Sequence, residues 1–545
     1  MIGVIATDSE KVIVREFFEL FKTPWEYYKE TSDYDVVISS HDTYTEVNAR
    51  LLVLYNSKKI RFDYENELET RLQTSVTILE YRNKHFPIYC RLQTYNSSGD
   101  SLIKVIANSS AAAIEVKFDN KKIVRIGFNI FQEILFLLSS GQPEEFAHVP
   151  TIEIHISILR DLILNAGNPL IEIPPVPAGY NFAVCLTHDI DFYQISNHRF
   201  DHTLFGFLYR AVIGSLINVL TGKISLKKLL KNWEAVCSLP GIYCGFIKDF
   251  WNQFDRYVEV EKGIQSTFFI IPFKKSTGRT LNGKAPKRRA TRYDVLDVKQ
   301  EIQKLLSNGN EIALHGIDAW HDIESGRKEM DRISEATGKS NIGVRMHWLY
   351  FDPRSHEMLD NAGFSYDSTI GYNDTIGYKA GSMQVFRPPG TRSLLELPMH
   401  IQDTALFYPR RMNLNEDEAY KLVEKLLKDA MELDGVLTIN WHDRSMAPER
   451  LWDDFYISLL KRLEAMNVWF GTAEQIVRWF NKRRSITFEE VQLKDGKLSL
   501  KLESNQDNVG TDIMVRIHKP ITQTTKEPSI NIQFSDRLDA QINLN

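Results

Sequence analysis

Hydrophobic and polar positions along the chain fall into three regimes. From residue 1 to about 175, short apolar runs stand at 2–6, 36–39, 51–55, 104–107 and 123–127. Between and after them, at 12–21 and 131–139, apolar residues recur every three or four positions. Runs of the first kind read as strands and the 3.6-residue period reads as helix, so a mixed α/β module is expected. The proline-rich segment 171–180 fixes an extended connection and marks the first boundary. From 181 to 484, runs of buried-strand type at 182–187, 266–271, 311–314, 436–441 and 467–471 alternate with helical periods such as 297–307 and 417–432. Strand and helix in alternation imply a mostly parallel sheet or barrel. From 485 to 545 the pattern changes to two-residue alternation at 486–491, 497–502, 512–517 and 529–534. Turn signals at Lys494-Asp495-Gly496 and Ser504-Asn505-Gln506-Asp507 separate these runs, which predicts a small β-sandwich-like module.

Three domains are therefore expected, at 1–175, 181–484 and 485–545, and 545 residues do exceed what one core serves. The 43% apolar and 25% charged content is that of a globular protein and excludes global disorder. The balance of 71 acidic against 66 basic residues opposes a general nucleic-acid binder. Cys90, Cys185, Cys237 and Cys244 form no CxxC pair, which argues against a zinc knuckle or redox motif and suits a reducing compartment. The opening residues meet Asp8 and Glu10 at once, without a basic and then apolar leader, so a cytoplasmic location is expected. The apolar run 204–220 is interrupted by Arg210. It reads as a buried or interfacial helix rather than a span, and peripheral contact with the inner membrane face stays open. Oligomeric state is not readable.

Candidate chemistry sits where strands end, the position at which α/β folds collect functional side chains. In Thr187-His188-Asp189-Ile190-Asp191, two carboxylates lie two residues apart and share one side of an extended chain. They repel unless a cation or proton lies between them, so one can bind a metal while the other stays basic. The strand at 311–314 runs into His315, with Asp318 and His321 close behind. Imidazole and carboxylate together suit Zn²⁺, with Co²⁺, Ni²⁺ and Fe²⁺ as alternatives. Arg345 is a fixed cation able to keep a neighbouring carboxylate ionised. His442 closes the strand at 436–441 and is a natural general acid. Taken singly, these features also read as a solvated turn, a structural histidine, a surface ion pair and a strand cap.

The ordered set Asp-x-Asp, His, Arg, His resembles the polysaccharide deacetylase (NodB-homology, carbohydrate esterase 4) family. Thr187-His188-Asp189-Ile190-Asp191 looks like that family's first motif. Arg345-Met346-His347-Trp348 looks like its R-x-P-[YF], and Asn440-Trp441-His442 like its L-x-H. Ser266-Thr267-Phe268-Phe269-Ile270 and Trp469-Phe470-Gly471-Thr472-Ala473-Glu474-Gln475 resemble two of its strands. The resemblance spans about 300 residues, from 181 to 484. It implies a distorted (β/α) barrel that removes acetyl groups from a carbohydrate, with the flanking segments as additions. It further implies Asp189 as base, Asp191 and His315 as metal ligands, Arg345 orienting Asp189, and His442 as acid. One departure stands out. The family's H-[ST]-x-x-H motif has Ala319 in place of its second histidine. Asp318, one helical turn from His315, or His321, if the loop bends, is expected to complete the metal shell. The missing imidazole also keeps open a degenerate carbohydrate-binding protein, and the fold keeps open an amidase on a non-sugar C–N bond.

Overall fold

The computed structural model describes all residues except 43–46, 97–100, 119–120, 495–496, 506–511, 522–528, 535–536 and 544–545. The expected turn residues Asp495, Gly496, Gln506 and Asp507 lie outside the described residues. Two compact units result. One comprises 1–179, 378–389 and 478–545; the other comprises 180–377 and 390–477.

The first unit holds an eleven-stranded mixed sheet. Strands Trp25–Tyr27, Ile2–Ile5, Tyr34–Ser39, Ala49–Tyr55 and Lys121–Ile126 pair in parallel, and an antiparallel meander continues from Lys121–Ile126. The meander strands Thr70–Gln73, Thr77–Tyr81, Lys84–Ile88 and Leu92–Tyr95 were not expected, because their polar content hides the alternation. The segment after 485 is grouped with this unit rather than standing apart. Its strand Ile513–His518 pairs antiparallel with Leu170–Glu172 on one edge and Ser529–Phe534 on the other. Strands Ile486–Lys494, Lys497–Ser504 and Arg537–Asn543 form a second three-stranded antiparallel sheet.

The second unit is built on an all-parallel sheet of nine strands. Eight lie in the order Leu395–Glu396, Tyr366–Asp367, Val344–Met346, Glu311–Gly316, Thr267–Ile270, Phe182–Ile190, Val436–Asn440 and Ile401–Gln402. The ninth, Val468–Phe470, pairs with the first half of Phe182–Ile190. The edge strands Leu395–Glu396 and Ile401–Gln402 are separated only by residues 397–400. A flat sheet of that order would place its edges about 34 Å apart. Five Cα steps reach no more than about 17 Å, so the sheet must curl. The result is a distorted, incomplete (β/α) barrel, as expected. Helices Lys299–Ser307, Ile323–Thr337, Glu416–Glu432, Asp453–Glu464 and Ala473–Arg484 alternate with its strands.

Close approach of neighbouring strands depends on Gly343. A Cβ there would stand 2.0 Å from the Tyr366 ring, whose hydroxyl donates to Glu311 Oε1 at 2.6 Å. Outside the barrel, His202–Leu208, Tyr209–Gly214 and Ser215–Leu220 form one continuous helical stretch. Among the described residues it alone is long and apolar enough to cross a membrane, by length and composition only. It is largely exposed rather than buried, with Phe205 at 56% and Leu220 at 78% exposure.

Candidate active site

Strand Phe182–Ile190 is buried along its whole length, so its alternate side chains enter two different environments. His188 faces one of them. Its Nδ1 lies 2.9 Å from the Trp441 carbonyl and its Nε2 2.9 Å from Glu261 Oε1, and it takes no part in the site. Thr187, Asp189 and Asp191 face the other. Arg345, fully buried, donates from Nη1 to Asp189 Oδ1 at 3.0 Å and to Thr187 Oγ1 at 2.8 Å. Its Nε and Nη2 are held by the Ser368 carbonyl and hydroxyl, and its guanidinium lies 4.3 Å from the Phe269 ring centre. Asn440 Nδ2 donates to Asp189 Oδ2 at 2.9 Å. Burial raises the Asp189 carboxyl, but Arg345, His315 and His442 outweigh it and hold it below the ordinary carboxylate range. Asp189 is therefore ionised, and both its oxygens are fixed.

Asp191 Oδ1 is buried and has no hydrogen-bond partner. Two imidazoles converge on it, with His315 Nε2 and His347 Nε2 each 3.4 Å away. His315 Nδ1 lies 3.0 Å from the Arg345 carbonyl. A carbonyl only accepts, so Nδ1 carries a proton and Nε2 is the ring nitrogen turned to Asp191. His347 is driven well below its ordinary value by burial, so its ring is neutral. Asp191 is lowered: burial opposes its ionisation, but the surrounding histidines, protonated His442 among them, prevail. Two imidazole nitrogens and one carboxylate oxygen at this spacing form a donor set of Zn²⁺ type. These three residues form a group able to hold a metal ion.

His347 reaches this position because strand Val344–Met346 ends in a tight turn. Trp348 and Leu349 both take left-handed backbone conformations, at φ 64° and 53°, and Arg289 Nη2 donates to the His347 carbonyl at 2.8 Å. Consecutive non-glycine residues in that region are strained, which is a recurrent mark of functional turns.

The structure does not bring Asp318 and His321 to the cluster. Asp318 Oδ1 accepts from the Arg279 amide at 2.7 Å, and His321 Nε2 lies 3.4 Å from Arg279 Nη1. The amides of Ile317 and Asp318 donate to the Glu329 carboxylate at 2.9 and 2.8 Å. That carboxylate sits on helix Ile323–Thr337 and draws the loop away from the strand end. The third candidate ligand is instead His347, which the spacing to Arg345 could have flagged.

His442 follows strand Val436–Asn440 and stands across the cleft, its Nε2 4.0 Å from Asp189 Oδ2. Its Nδ1 lies 2.6 Å from Asp403 Oδ1, and its own amide donates to Asp403 Oδ2 at 2.6 Å. Ser445 also donates to that carboxylate. Burial lowers His442, yet Asp403, with Asp191 and Asp189 beyond it, raises it to about 9. Asp189, Asp191, His315, His347 and His442 line one cavity of about 520 Å³. A second buried group, His356, Asp367 and Glu396, lies along the edge strands, with His356 Nε2 3.2 Å from Glu396 Oε2.

No family model matches the chain, and no curated protein matches it. Solved structures do. The chain is similar to polysaccharide deacetylases. A protein assigned to that class from Mycobacterium smegmatis matches at 18% identity and a TM-score of 0.35, covering 57% of this chain and 95% of the other. A second, from Pseudomonas aeruginosa PAO1, matches at 15% identity and 0.33, covering 58% and 96%. An allantoinase matches at 16% identity and 0.33, covering 56% and 92%. These values are too low to carry a residue's role across.

Proposed function

We propose that the chain is a metal-dependent hydrolase that removes an acetyl group from an amino sugar in a glycan or glycan precursor. One observation carries the reading. An unpartnered, buried carboxylate oxygen of Asp191 faces two imidazole nitrogens, beside an arginine-held carboxylate and a histidine with its own buried aspartate. Asp191, His315 and His347 would hold the ion, Zn²⁺ first by donor chemistry. When bound, the ion polarises the acyl carbonyl and acidifies a water molecule.

The chain's own residues supply the proton transfers. Asp189, kept ionised and oriented by Arg345, accepts the proton of the attacking water on Oδ2, through the lone pair that Asn440 does not use. His442 is protonated at neutral pH and donates from Nε2 to the leaving nitrogen. Asp403 fixes the tautomer by accepting the hydrogen bond from Nδ1. With His347 present, three candidate protein ligands are available despite Ala319, which supports the hydrolase over a degenerate binding protein.

Metal analysis of the purified chain and acetate release from N-acetylated amino-sugar oligomers test the reading together. The expected result is one divalent ion per chain, with activity lost in Asp189→Asn and both ion and activity lost in Asp191→Ala. A chain that takes up no divalent ion under any loading condition sinks it.

A further inference from the structure

The cavity is basic in a chain whose net charge is −5. Arg210, Arg288, Arg411, Arg444 and Arg450 all line it. A single carboxylate, Glu449, answers two of them: Arg210 Nε lies 2.9 Å from Oε2, and Arg444 Nη1 lies 3.5 Å from Oε1. The counterion of Arg411 is the exposed Asp374 at 3.6 Å, and the buried Asp403 carboxylate, already bonded to His442, also acts on Arg411 and Arg450. Among the described residues neither Arg288 nor Arg450 has an ion-pair partner. Arg288 lies 5.5 Å from the Trp348 ring centre, and Arg450 donates to Ser445 Oγ at 3.3 Å. The guanidinium groups are close enough to repel. Burial lowers Arg444 to about 10, and Arg450 adds to the effect. Burial also lowers Arg411, with Arg450 again contributing. An adjoining cavity of about 280 Å³ shares Asp191, His347 and Arg288 and adds Lys275, Lys287 and Arg292.

Under-neutralised guanidinium forks in a partly buried cleft bind a tetrahedral oxyanion strongly, because several forks can engage one phosphate at once. We propose that the substrate carries a phosphate group, held by Arg411, Arg444 and Arg450 while its acyl group lies at Asp191. This rests on the hydrolase reading above and names its substrate class: an acylated sugar phosphate. Such a phosphate can be soluble or attached to a lipid. The helical stretch 202–220 favours the lipid. It contributes Thr203 and Arg210 to the cavity wall and leaves Phe205, Tyr209, Ile213, Leu216 and Leu220 exposed beside them. A hydrocarbon chain leaving the cavity on that side would meet apolar surface.

Equilibrium binding by calorimetry to the full-length, metal-loaded Asp189→Asn chain tests this without turnover. The probes are N-acetylglucosamine, its 1-phosphate, and the decyl ester of that phosphate. Two or three charge-assisted bonds should make the 1-phosphate bind at least about 100-fold more tightly than the neutral sugar. That preference should fall below about 3-fold in Arg411→Ala/Arg450→Ala and partly in the milder Arg450→Gln. Equal affinity for the neutral and phosphorylated sugars overturns the proposal, even if acetate release from neutral oligomers upholds the hydrolase reading. Phosphate preference in a chain that binds no metal upholds the phosphate site but removes the hydrolase reading, and with it the assignment of that phosphate to a hydrolysed substrate. A further gain of about tenfold from the decyl chain, lost in Leu216→Asp/Leu220→Asp, assigns the lipid source; no gain assigns the soluble one.

Discussion

Replacing Asp403 by asparagine should pull the titration of His442 down from about 9 to below about 7. Burial by itself disfavours the imidazolium, and Asp403 is the largest of the groups that oppose it. The amide oxygen introduced by the substitution can still accept the Nδ1 proton, although the amide nitrogen then gives up the bond from the His442 backbone amide. A fall of two units corresponds to about 2.7 kcal/mol of lost interaction. At pH 7.5 the ring is roughly 97% protonated with a value of 9 but only about 9% with a value of 6.5. The direct assay is the ring-nitrogen NMR titration of His442 in metal-stripped protein, where only side chains set the balance. Activity should follow: the variant falls about tenfold relative to the parent at pH 7.5 and recovers most of that at pH 5.5. The same linkage acts on stability. Because the folded value lies above the unfolded 6.5, His442 contributes stability that is full below pH 6.5 and lost as pH rises through 9. The melting difference between parent and variant should therefore shrink with rising pH. An imidazole that still titrates near 9 in Asp403→Asn refutes the assignment of its charge to Asp403.

Three further outcomes follow from the geometry. His347→Ala should weaken Zn²⁺ binding by at least about 100-fold, whereas Asp318→Ala and His321→Ala should change it by less than about 3-fold; competition with a chromophoric chelator measures both, and the reverse order would restore the loop residues as ligands. Arg345→Met leaves the Asp189 carboxylate buried without its cation and should cost about 3–5 kcal/mol in urea unfolding, with a loss under about 1 kcal/mol showing that the pair is dispensable. Glu396 is raised to about 8, chiefly by burial, so the stability it contributes is full below about 4.5 and lost as pH rises through 8. Glu396→Gln, which keeps the shape of the protonated acid, should flatten the decline in urea stability between pH 5 and 8, and an unchanged slope would exclude Glu396 as its source.

The parts of the site that were legible in the sequence are those that one strand can express alone. The two-residue spacing of Asp189 and Asp191, the strand ends at His315 and His442, and Arg345 all depend on local periodicity, and the barrel follows from the same runs. What failed was a step that needed two strands at once. The H-[ST]-x-x-H pattern presumes that the chain after His315 turns as a helix, but the Glu329 carboxylate captures the amides of Ile317 and Asp318. Nothing within 315–321 announces a carboxylate eleven or more residues away. Asp403 stood out only as a polar residue past a short strand, because Ile401–Gln402 is too short to show a period and Asp403 itself opens the helix Asp403–Phe407. The pairing of 170–172 with 516–518 is non-local in the same way. His347, by contrast, obeys a rule already applied elsewhere. The register sets His315 opposite Arg345, and two residues past Arg345 lies the same side of the chain. The i, i+2 argument that joined Asp189 to Asp191 therefore joins Arg345 to His347, and the turn at Trp348 and Leu349 completes the approach of the His315 and His347 rings to 4.9 Å. The ligand that Ala319 removes from one strand end is thus available from the neighbouring strand, without any change in the number of imidazoles facing Asp191.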